Sequence, residues 1–289
     1  MPVFAHRHRT TAPRGRLLSA LGVALAAVGC APPGPRASGS ATEHLRRAVP
    51  VDARAGTEIS VLWSDELTGP RLILVHGTPG SATAWADYLL KPPEGLEVLA
   101  LDRPGFGDSR PESAVTTLEG QAAAVMALLP DDGRPVVLLG HSLGGPIVAR
   151  LAADLDAVQP GRITALVLLA ASLDPALETI HPMQHAVAWA PVRDLLPRSL
   201  RNANAELMAL KPELEDLAMR LPQIRAKVVI VHGTKDELVP VANVAFMQAS
   251  LSGARCLKTV LLQDRNHFLP WNSEEAVRDA IRIALEPAC

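Results

Sequence analysis

The sequence predicts an α/β fold: a mostly parallel, doubly wound sheet with a helical cap insertion. Three observations predict it. From Ile59 onward, short apolar runs alternate with helix-like stretches. The apolar runs lack polar alternation, which is typical of parallel strands buried on both faces. One interval, 172–224, interrupts this rhythm without a convincing strand of its own.

The strands and helices follow one another at a regular spacing. The predicted strands are Arg71–Val75, Glu97–Leu101, Pro135–Leu139, Ile163–Leu169, Lys227–Val231 and Leu257–Leu262. The predicted helices are Ala82–Leu90, Leu118–Leu129, Gly145–Asp156, Val241–Leu251 and Glu274–Leu285. This order favours a parallel sheet with helices on both faces. We expect Ile59–Trp63 to add a strand at the edge of the sheet.

The interval 172–224 holds six prolines, with helical apolar spacing between them. Irregular segments of this length inside a compact domain are usually functional. We interpret the interval as a helical cap over the sheet edge.

The N-terminal segment differs in character from the rest of the chain. Residues 1–16 carry four arginines and no acidic residue, and a short apolar run, Leu17–Val28, follows. A basic end, a short apolar middle and small residues are the parts of a secretory signal. The stretch Ala27-Val28-Gly29-Cys30 resembles a bacterial lipobox, in which lipid is attached to the cysteine and the chain is cut before it. The alternatives are a simple cleaved signal or an uncleaved anchor, with Cys30 incidental.

The lipobox resemblance implies a domain organisation and a location. We expect a signal peptide at 1–29, a lipidated Cys30 with a flexible tether at 30–50, and an α/β domain at 51–289 with its cap at about 172–224. Much of the tether is rich in Pro, Gly, Ser and Ala, which favours flexibility. The protein would then be exported and anchored by lipid to a membrane of the bacterial cell envelope, on its periplasmic or extracellular face.

Charge and cysteine content narrow the choice of partners. The chain has 28 Lys and Arg against 30 Asp and Glu, so it presents no general basic field for nucleic acid. Loss of the arginine-rich signal would leave the chain more acidic, so membrane contact would depend on lipid rather than on basic surface charge.

The remaining cysteines, Cys256 and Cys289, either form a disulfide, which export permits, or remain free thiols. The sequence leaves the oligomeric state open.

The strongest motif is Gly140-His141-Ser142-Leu143-Gly144-Gly145, which follows a predicted strand and opens a predicted helix. That context is the one required of a nucleophile elbow, a sharp turn that presents a serine at the sheet edge. The glycines let strand and helix approach closely, and the helix N-terminus behind Ser142 favours negative charge. The alternative is a glycine-rich turn in which the serine only caps the helix.

A serine nucleophile needs a base that is held by a third group, in the chain order Ser, acid, His. Asp236 follows the predicted strand Lys227–Val231, and His267 follows the last predicted strand. Open α/β sheets place their sites at the carboxyl ends of the strands, so Ser142, Asp236 and His267 can meet at one edge. Asp174 is the rival acid, whereas Asp264 is too near His267 in sequence to be its partner.

An oxyanion would need two backbone N–H donors near Ser142. Leu143, the residue after the nucleophile, supplies one. The loop His76-Gly77-Thr78-Pro79-Gly80 follows the strand Arg71–Val75 and supplies the other, which we assign to Thr78 because Pro79 has no N–H. The alternative is a purely structural Gly/Pro turn.

Together these motifs resemble the α/β-hydrolase superfamily from about Ile59 to Leu285. The matching pieces are the 76–80 loop, Asp102-Arg103-Pro104-Gly105-Phe106-Gly107-Asp108-Ser109, the Ser142 elbow, Asp236 and His267. The resemblance implies a serine triad hydrolase, in which Ser142 attacks an acyl carbon, His267 shuttles the proton and Asp236 orients His267. Haloalkane dehalogenases and epoxide hydrolases share this frame but use Asp as the nucleophile, and Ser142 argues against both.

The leading hypothesis is a carboxylesterase-like serine hydrolase that cleaves an ester or related acyl bond of a small molecule through an acyl-enzyme. The alternatives are a C–C bond hydrolase, an amidase or a perhydrolase on the same triad, or a catalytically idle scaffold used for binding. No cofactor and no metal are implied, because the dinucleotide and phosphate loops are incomplete. The pair His181 and His185 likewise lacks the Glu of a zinc-protease motif.

Overall fold

The structure is a computed structural model, and it describes residues 34–52, 57–64 and 69–289. The predicted signal peptide, 1–29, and the predicted lipidation site, Cys30, lie outside the described residues. In the described part of the chain, no helix has both the length and the apolar character needed to cross a membrane.

An eight-stranded sheet forms the centre of the molecule, in the order β1-β2-β4-β3-β5-β6-β7-β8. Only β2 runs against the other strands. The bounds are β1 Arg46–Asp52, β2 Thr57–Trp63, β3 Arg71–Val75, β4 Glu97–Leu101, β5 Val136–His141, β6 Ala165–Leu169, β7 Lys227–Gly233 and β8 Cys256–Leu262. The predicted fold class, a mostly parallel sheet flanked by helices, is therefore confirmed.

Helices lie between most of the strands. They are α1 Ala86–Leu90, α2 Leu118–Met126, α3 Gly144–Asp156, α4 Pro182–Ala188, α5 Ala190–Arg193, α6 Arg198–Arg220, α7 Asn243–Ser250, α8 Leu269–Asn272 and α9 Glu274–Leu285. Short 3-10 turns occur at Gly39–Leu45, Ala82–Trp85 and Leu221–Gln223. The interval interpreted as the cap holds α4, α5 and α6.

The core consists of two apolar layers, one on each face of the sheet. Alternate residues of β3 illustrate this: Ile73 belongs to the layer shared with α2, α3, α6 and α7, and Leu72 to the layer shared with α1 and α9. All five residues of β3, β4 and β6 are buried, as the uninterrupted apolar runs predicted. The strands are thus packed on both faces, and the loops at their carboxyl ends start from this core.

The first strand corrects two predictions. Ile59–Trp63 does belong to a strand, but β2 is not at the edge, because β1 pairs with it antiparallel. The tether also does not extend to residue 50, since Gly39–Leu45 forms a 3-10 turn and Arg46–Asp52 forms β1. Charged residues and a proline in β1 are typical of an exposed edge strand. Because they interrupt the apolar pattern, β1 was not predicted from apolar runs in the sequence.

The C-terminus is joined to the start of β8. A disulfide links Cys256 and Cys289, whose Cα atoms are 5.5 Å apart. Of the two alternatives left open by the sequence, the structure contains the bridge.

Candidate active site

Ser142 lies at the tip of a tight turn between β5 and α3. Its φ of +55° is in the left-handed region, which a non-glycine residue adopts only where the surroundings impose it. Two glycines make the close approach possible: a Cβ on Gly140 would lie 2.3 Å from the Gly144 carbonyl oxygen, and a Cβ on Gly144 would lie 2.3 Å from that of Val75. The turn therefore has the backbone strain and the close packing expected of a nucleophile elbow.

His267 and Asp236 form a buried hydrogen-bonded pair. Asp236 follows β7 and His267 follows β8, and the Nδ1–H of His267 donates to Asp236 Oδ2 over 2.8 Å. The second oxygen, Oδ1, accepts from the backbone N–H groups of Leu238 and Val239 at 3.0 and 2.8 Å. The carboxylate is thus fixed on both sides, and its contact leaves His267 Nε2 as the free nitrogen.

The rival acids do not reach His267. Asp174 Oδ1 accepts from the N–H of Ala176, and Asp264 forms an exposed ion pair with Lys235. Of the three carboxylates that the sequence brings into question, Asp236 is the one that contacts the imidazole.

Two further histidines pack around the pair and stay neutral. His141 Nε2–H donates to the carbonyl of His267 over 3.0 Å, and the two rings lie 4.8 Å apart between centroids. Burial, and next the nearby His267, lower the pKa of His141 to about 3. Burial likewise lowers the pKa of His232, whose Nε2–H donates to the Val239 carbonyl. Both rings are therefore neutral hydrogen-bond donors that pack beside the pair.

The two predicted oxyanion donors are unengaged. In the described residues, the backbone N–H groups of Thr78 and Leu143 donate to no other protein group. Both residues line the same cavity as Ser142. Free N–H groups inside a site are unusual in a folded protein and are available to a ligand oxygen.

A cavity of about 280 Å³ opens over Ser142. Ser142 and His267 both line it, although in the described structure no hydrogen bond joins Ser142 Oγ to His267 Nε2. Such bonds often tighten only once substrate is bound. Most of the wall is apolar, from both the body and the cap: Trp85, Leu177, Leu207, Leu210, Leu238, Val239, Phe268 and Trp271. The arrangement suits a small, largely apolar molecule with one polar reacting group.

Residues 72–280 match the model of the Alpha/beta hydrolase family. The chain belongs to this family. Ser142, Asp236 and His267 all lie within the matched residues. In the residues described, no three His, Cys, Asp or Glu side chains are grouped so that they could hold a metal ion.

The chain is similar to proteins that are named for different activities. The dihydrolipoyllysine-residue acetyltransferase component of the acetoin cleaving system of Cupriavidus necator is 28% identical over 60% of this chain and 53% of its own length. Protein phosphatase methylesterase 1 of Mus musculus is 26% identical over 58% of this chain and 48% of its own. The chain thus spans about half the length of these curated relatives. A crystal structure of a membrane phospholipase A, called a novel bacterial virulence factor, matches 85% of this chain and 88% of its own at 23% identity and a TM-score of 0.63, and so shares the fold.

The sequence analysis missed two carboxylates in or next to the candidate site. Glu206, on cap helix α6, is buried and receives hydrogen bonds from Thr78 and Arg103. Glu178 lines the cavity and accepts from the Ser172 hydroxyl, and burial raises its pKa. A signal existed for Glu206, since the buried leucines of α6 recur at positions 210, 214 and 217, and one further step of four leads to it. A charged residue in a core register indicates a buried partner.

Proposed function

We propose that the protein is a serine esterase that cleaves a small acyl ester through an acyl-enzyme on Ser142. The observation that carries the proposal is the strained Ser142 elbow opening into the same cavity as the buried His267–Asp236 pair. In the proposed reaction, His267 Nε2 takes the Ser142 proton as Oγ attacks the acyl carbon, and Asp236 holds His267 in the tautomer that makes this possible.

The remaining steps use groups already described. The N–H groups of Thr78 and Leu143 would bind the oxyanion of the tetrahedral intermediate. His267 then returns the proton to the leaving alcohol, and a water molecule activated by the same ring hydrolyses the acyl-enzyme. The names of the two curated relatives, an acetyltransferase component and a methylesterase, both refer to acyl chemistry and support this choice.

The cavity volume limits the substrate. The cavity volume of about 280 Å³ is at the lower end of the range for small-molecule sites, roughly 300–1,000 Å³. We therefore expect short acyl chains to be preferred over long ones.

A chain-length series of p-nitrophenyl esters tests the proposal. We expect hydrolysis of the acetate and butyrate esters, a decline toward the laurate ester, and loss of activity in Ser142→Ala. Failure of every ester, together with cleavage of an amide or a diketone, would support another reaction on the same residues.

We also propose that Cys30 carries a lipid anchor that holds the enzyme at a membrane of the bacterial cell envelope. The support is the basic and apolar pattern before Cys30. The body begins soon after it, since the N–H groups of Arg36 and Ala37 donate to the Asp87 carboxylate. Arg36 lies six residues after Cys30, and the segment between them can span at most about 20 Å, so the anchor would keep the body close to the headgroups.

The mass of the mature N-terminal peptide tests the anchor. A diacylated Cys30 is expected, together with release of the protein from membranes by Cys30→Ser. An unlipidated chain that starts elsewhere would contradict it.

A further inference from the structure

We propose that Glu206, a residue of the cap, positions the oxyanion donor of the body, so that seating of the cap and the chemical step are coupled. The inference rests on the proposed serine esterase function and assigns a positioning role to a residue that does not itself reach the reacting atoms.

The carboxylate of Glu206 is buried and fully occupied. Its oxygens accept from Thr78 Oγ1 at 2.6 Å, from the two Arg103 guanidinium nitrogens at 2.6 and 3.1 Å, and from Gln121 Nε2 at 2.9 Å. The side chains of Arg103 and Glu206 are 0% and 3% exposed. A buried charge pair is retained only with this degree of satisfaction, and loss of one partner leaves the others unpaired.

The same Arg103 fixes the peptide plane that carries the Thr78 N–H. Its Nη2 donates to the carbonyl of Gly77 over 3.0 Å, and its Nε donates to the carbonyl of His76 over 3.0 Å. The Gly77 carbonyl and the Thr78 N–H belong to one planar unit, so a constraint on the oxygen sets the direction of the N–H.

His76 also holds that unit. Its Nδ1–H donates to the Gly77 carbonyl over 2.7 Å, and its Nε2 accepts from the backbone N–H of Arg103 over 3.1 Å. Burial lowers the pKa of His76 well below its ordinary value, which agrees with the neutral tautomer that these bonds require. The donor loop is therefore held by one continuous network that ends at Glu206.

Glu206 reaches this network from the cap. It lies on α6, whose Leu210 and Leu214 pack into the core, and Asn202 on the same helix donates to the carbonyls of Gly105 and Glu112 at 2.7 and 2.8 Å. When α6 is seated, the Thr78 side chain and Arg103 are both anchored. If α6 moves away, both lose their common acceptor, and the Thr78 N–H is held less firmly because only the contacts of the Gly77 carbonyl with His76 and Arg103 remain.

The experiment compares Glu206→Gln with wild type on p-nitrophenyl butyrate and on a trifluoromethyl ketone, which binds serine hydrolases as an oxyanion. Misplacing a catalytic group by about 1 Å costs on the order of 100-fold, and a whole oxyanion donor is worth about 100- to 1,000-fold in kcat. We expect kcat to fall about 10- to 100-fold, KM to stay within about twofold, and the affinity for the ketone to fall in parallel with kcat.

Glu97→Gln is the matched control. Glu97 pairs with Arg71 over 2.6 Å, with side chains 1% and 9% exposed, at the starts of β3 and β4 and so at the opposite end of the sheet from the site. This variant should lose stability comparably but keep its kcat and its ketone affinity. Equal kcat loss in both variants, or unchanged kcat and ketone affinity in folded Glu206→Gln, overturns the inference.

A second variant removes the link without breaking the buried charge pair. Thr78→Val deletes the hydroxyl that donates to Glu206 and keeps the backbone N–H. We therefore expect about a 10-fold loss of kcat at constant KM. Unchanged kcat would overturn the inference even if Glu206→Gln does not fold. If the wild-type protein itself fails to react at Ser142 with a fluorophosphonate, the proposed function falls along with the inference. If wild-type protein is labelled normally and Thr78→Val keeps the wild-type kcat, the inference is wrong but the proposed function stands.

Discussion

Asp236→Asn should convert the histidine to the wrong tautomer. In the structure, Asp236 Oδ1 accepts from two backbone N–H groups, and Oδ2 accepts from His267 Nδ1–H at 2.8 Å. An asparagine must present its oxygen to the two backbone donors, so its NH2 group takes the place of Oδ2. That NH2 can only donate to His267 Nδ1, which moves the imidazole proton to Nε2 and prevents it from accepting the Ser142 proton.

The expected loss is large because one hydrogen bond selects the tautomer. In serine proteases of unrelated fold, the same replacement lowers kcat about 10,000-fold, which corresponds to about 5.5 kcal/mol of activation free energy. Here the two backbone N–H groups that donate to Oδ1 fix the orientation of the asparagine amide, so we expect kcat to decrease by a similar factor with little change in KM.

Steady-state hydrolysis of p-nitrophenyl butyrate at pH 8 measures the effect. Asp174→Asn is the matched control, since Asp174 is the rival acid by sequence but its carboxylate accepts from the Ala176 N–H in its own turn, and it should stay within about twofold of wild type. Asp236→Asn with more than a tenth of wild-type kcat, or an equal loss in Asp174→Asn, would refute the reasoning.

Three other predictions concern pH, selectivity and stability. Burial lowers the pKa of three histidines, namely His76, His141 and His232. Below about pH 6.5 these three side chains therefore bind more protons in the unfolded chain than in the native state. Urea melts should show the free energy of unfolding falling with acidification by up to about 1.4 kcal/mol per pH unit per histidine. A flat profile between about pH 5 and 6.5 would contradict the conclusion that the three histidines are neutral in the native state. Once ionised, Glu178 should disfavour anionic substrates, so kcat/KM for p-nitrophenyl hemisuccinate relative to the butyrate should rise at least several-fold in Glu178→Gln at pH 8, and an unchanged ratio would exclude this role. The disulfide closes a 33-residue separation, so the double variant Cys256→Ser, Cys289→Ser should lose about 3–4 kcal/mol of stability without loss of activity, and an unchanged melting temperature would show that the bridge is not formed.

The sequence was sufficient for the central strands because their burial on both faces produces uninterrupted apolar runs. Arg71–Val75 and Glu97–Leu101 have the predicted bounds. The edge behaves differently. β1 is half solvated, so Arg46 and Pro50 interrupt its pattern, and only its pairing with β2 reveals it as a strand.

Some residues of the candidate site could likewise be predicted from the sequence, and others could not. Ser142, Asp236 and His267 lie in the loops after the carboxyl ends of β5, β7 and β8, so chain order and strand ends place them near each other without any knowledge of packing. Glu206 contributes from a distant helix whose position over the sheet depends on tertiary contacts, and local sequence carries only the signal of a charge in an apolar register. The cavity shape has the same origin, since Leu207 and Leu210 reach it from that helix.

The central claim is that Ser142 is the nucleophile, and site-mapped labelling by a fluorophosphonate tests it most directly. Ser172 lines the same cavity, and its backbone N–H contacts the Ser142 carbonyl, so Ser172→Ala provides a matched control. Peptide mass analysis should find one phosphonyl adduct on Ser142 in wild type and in Ser172→Ala, and none in Ser142→Ala. An adduct on another residue, or no adduct on folded wild-type protein, would contradict the account.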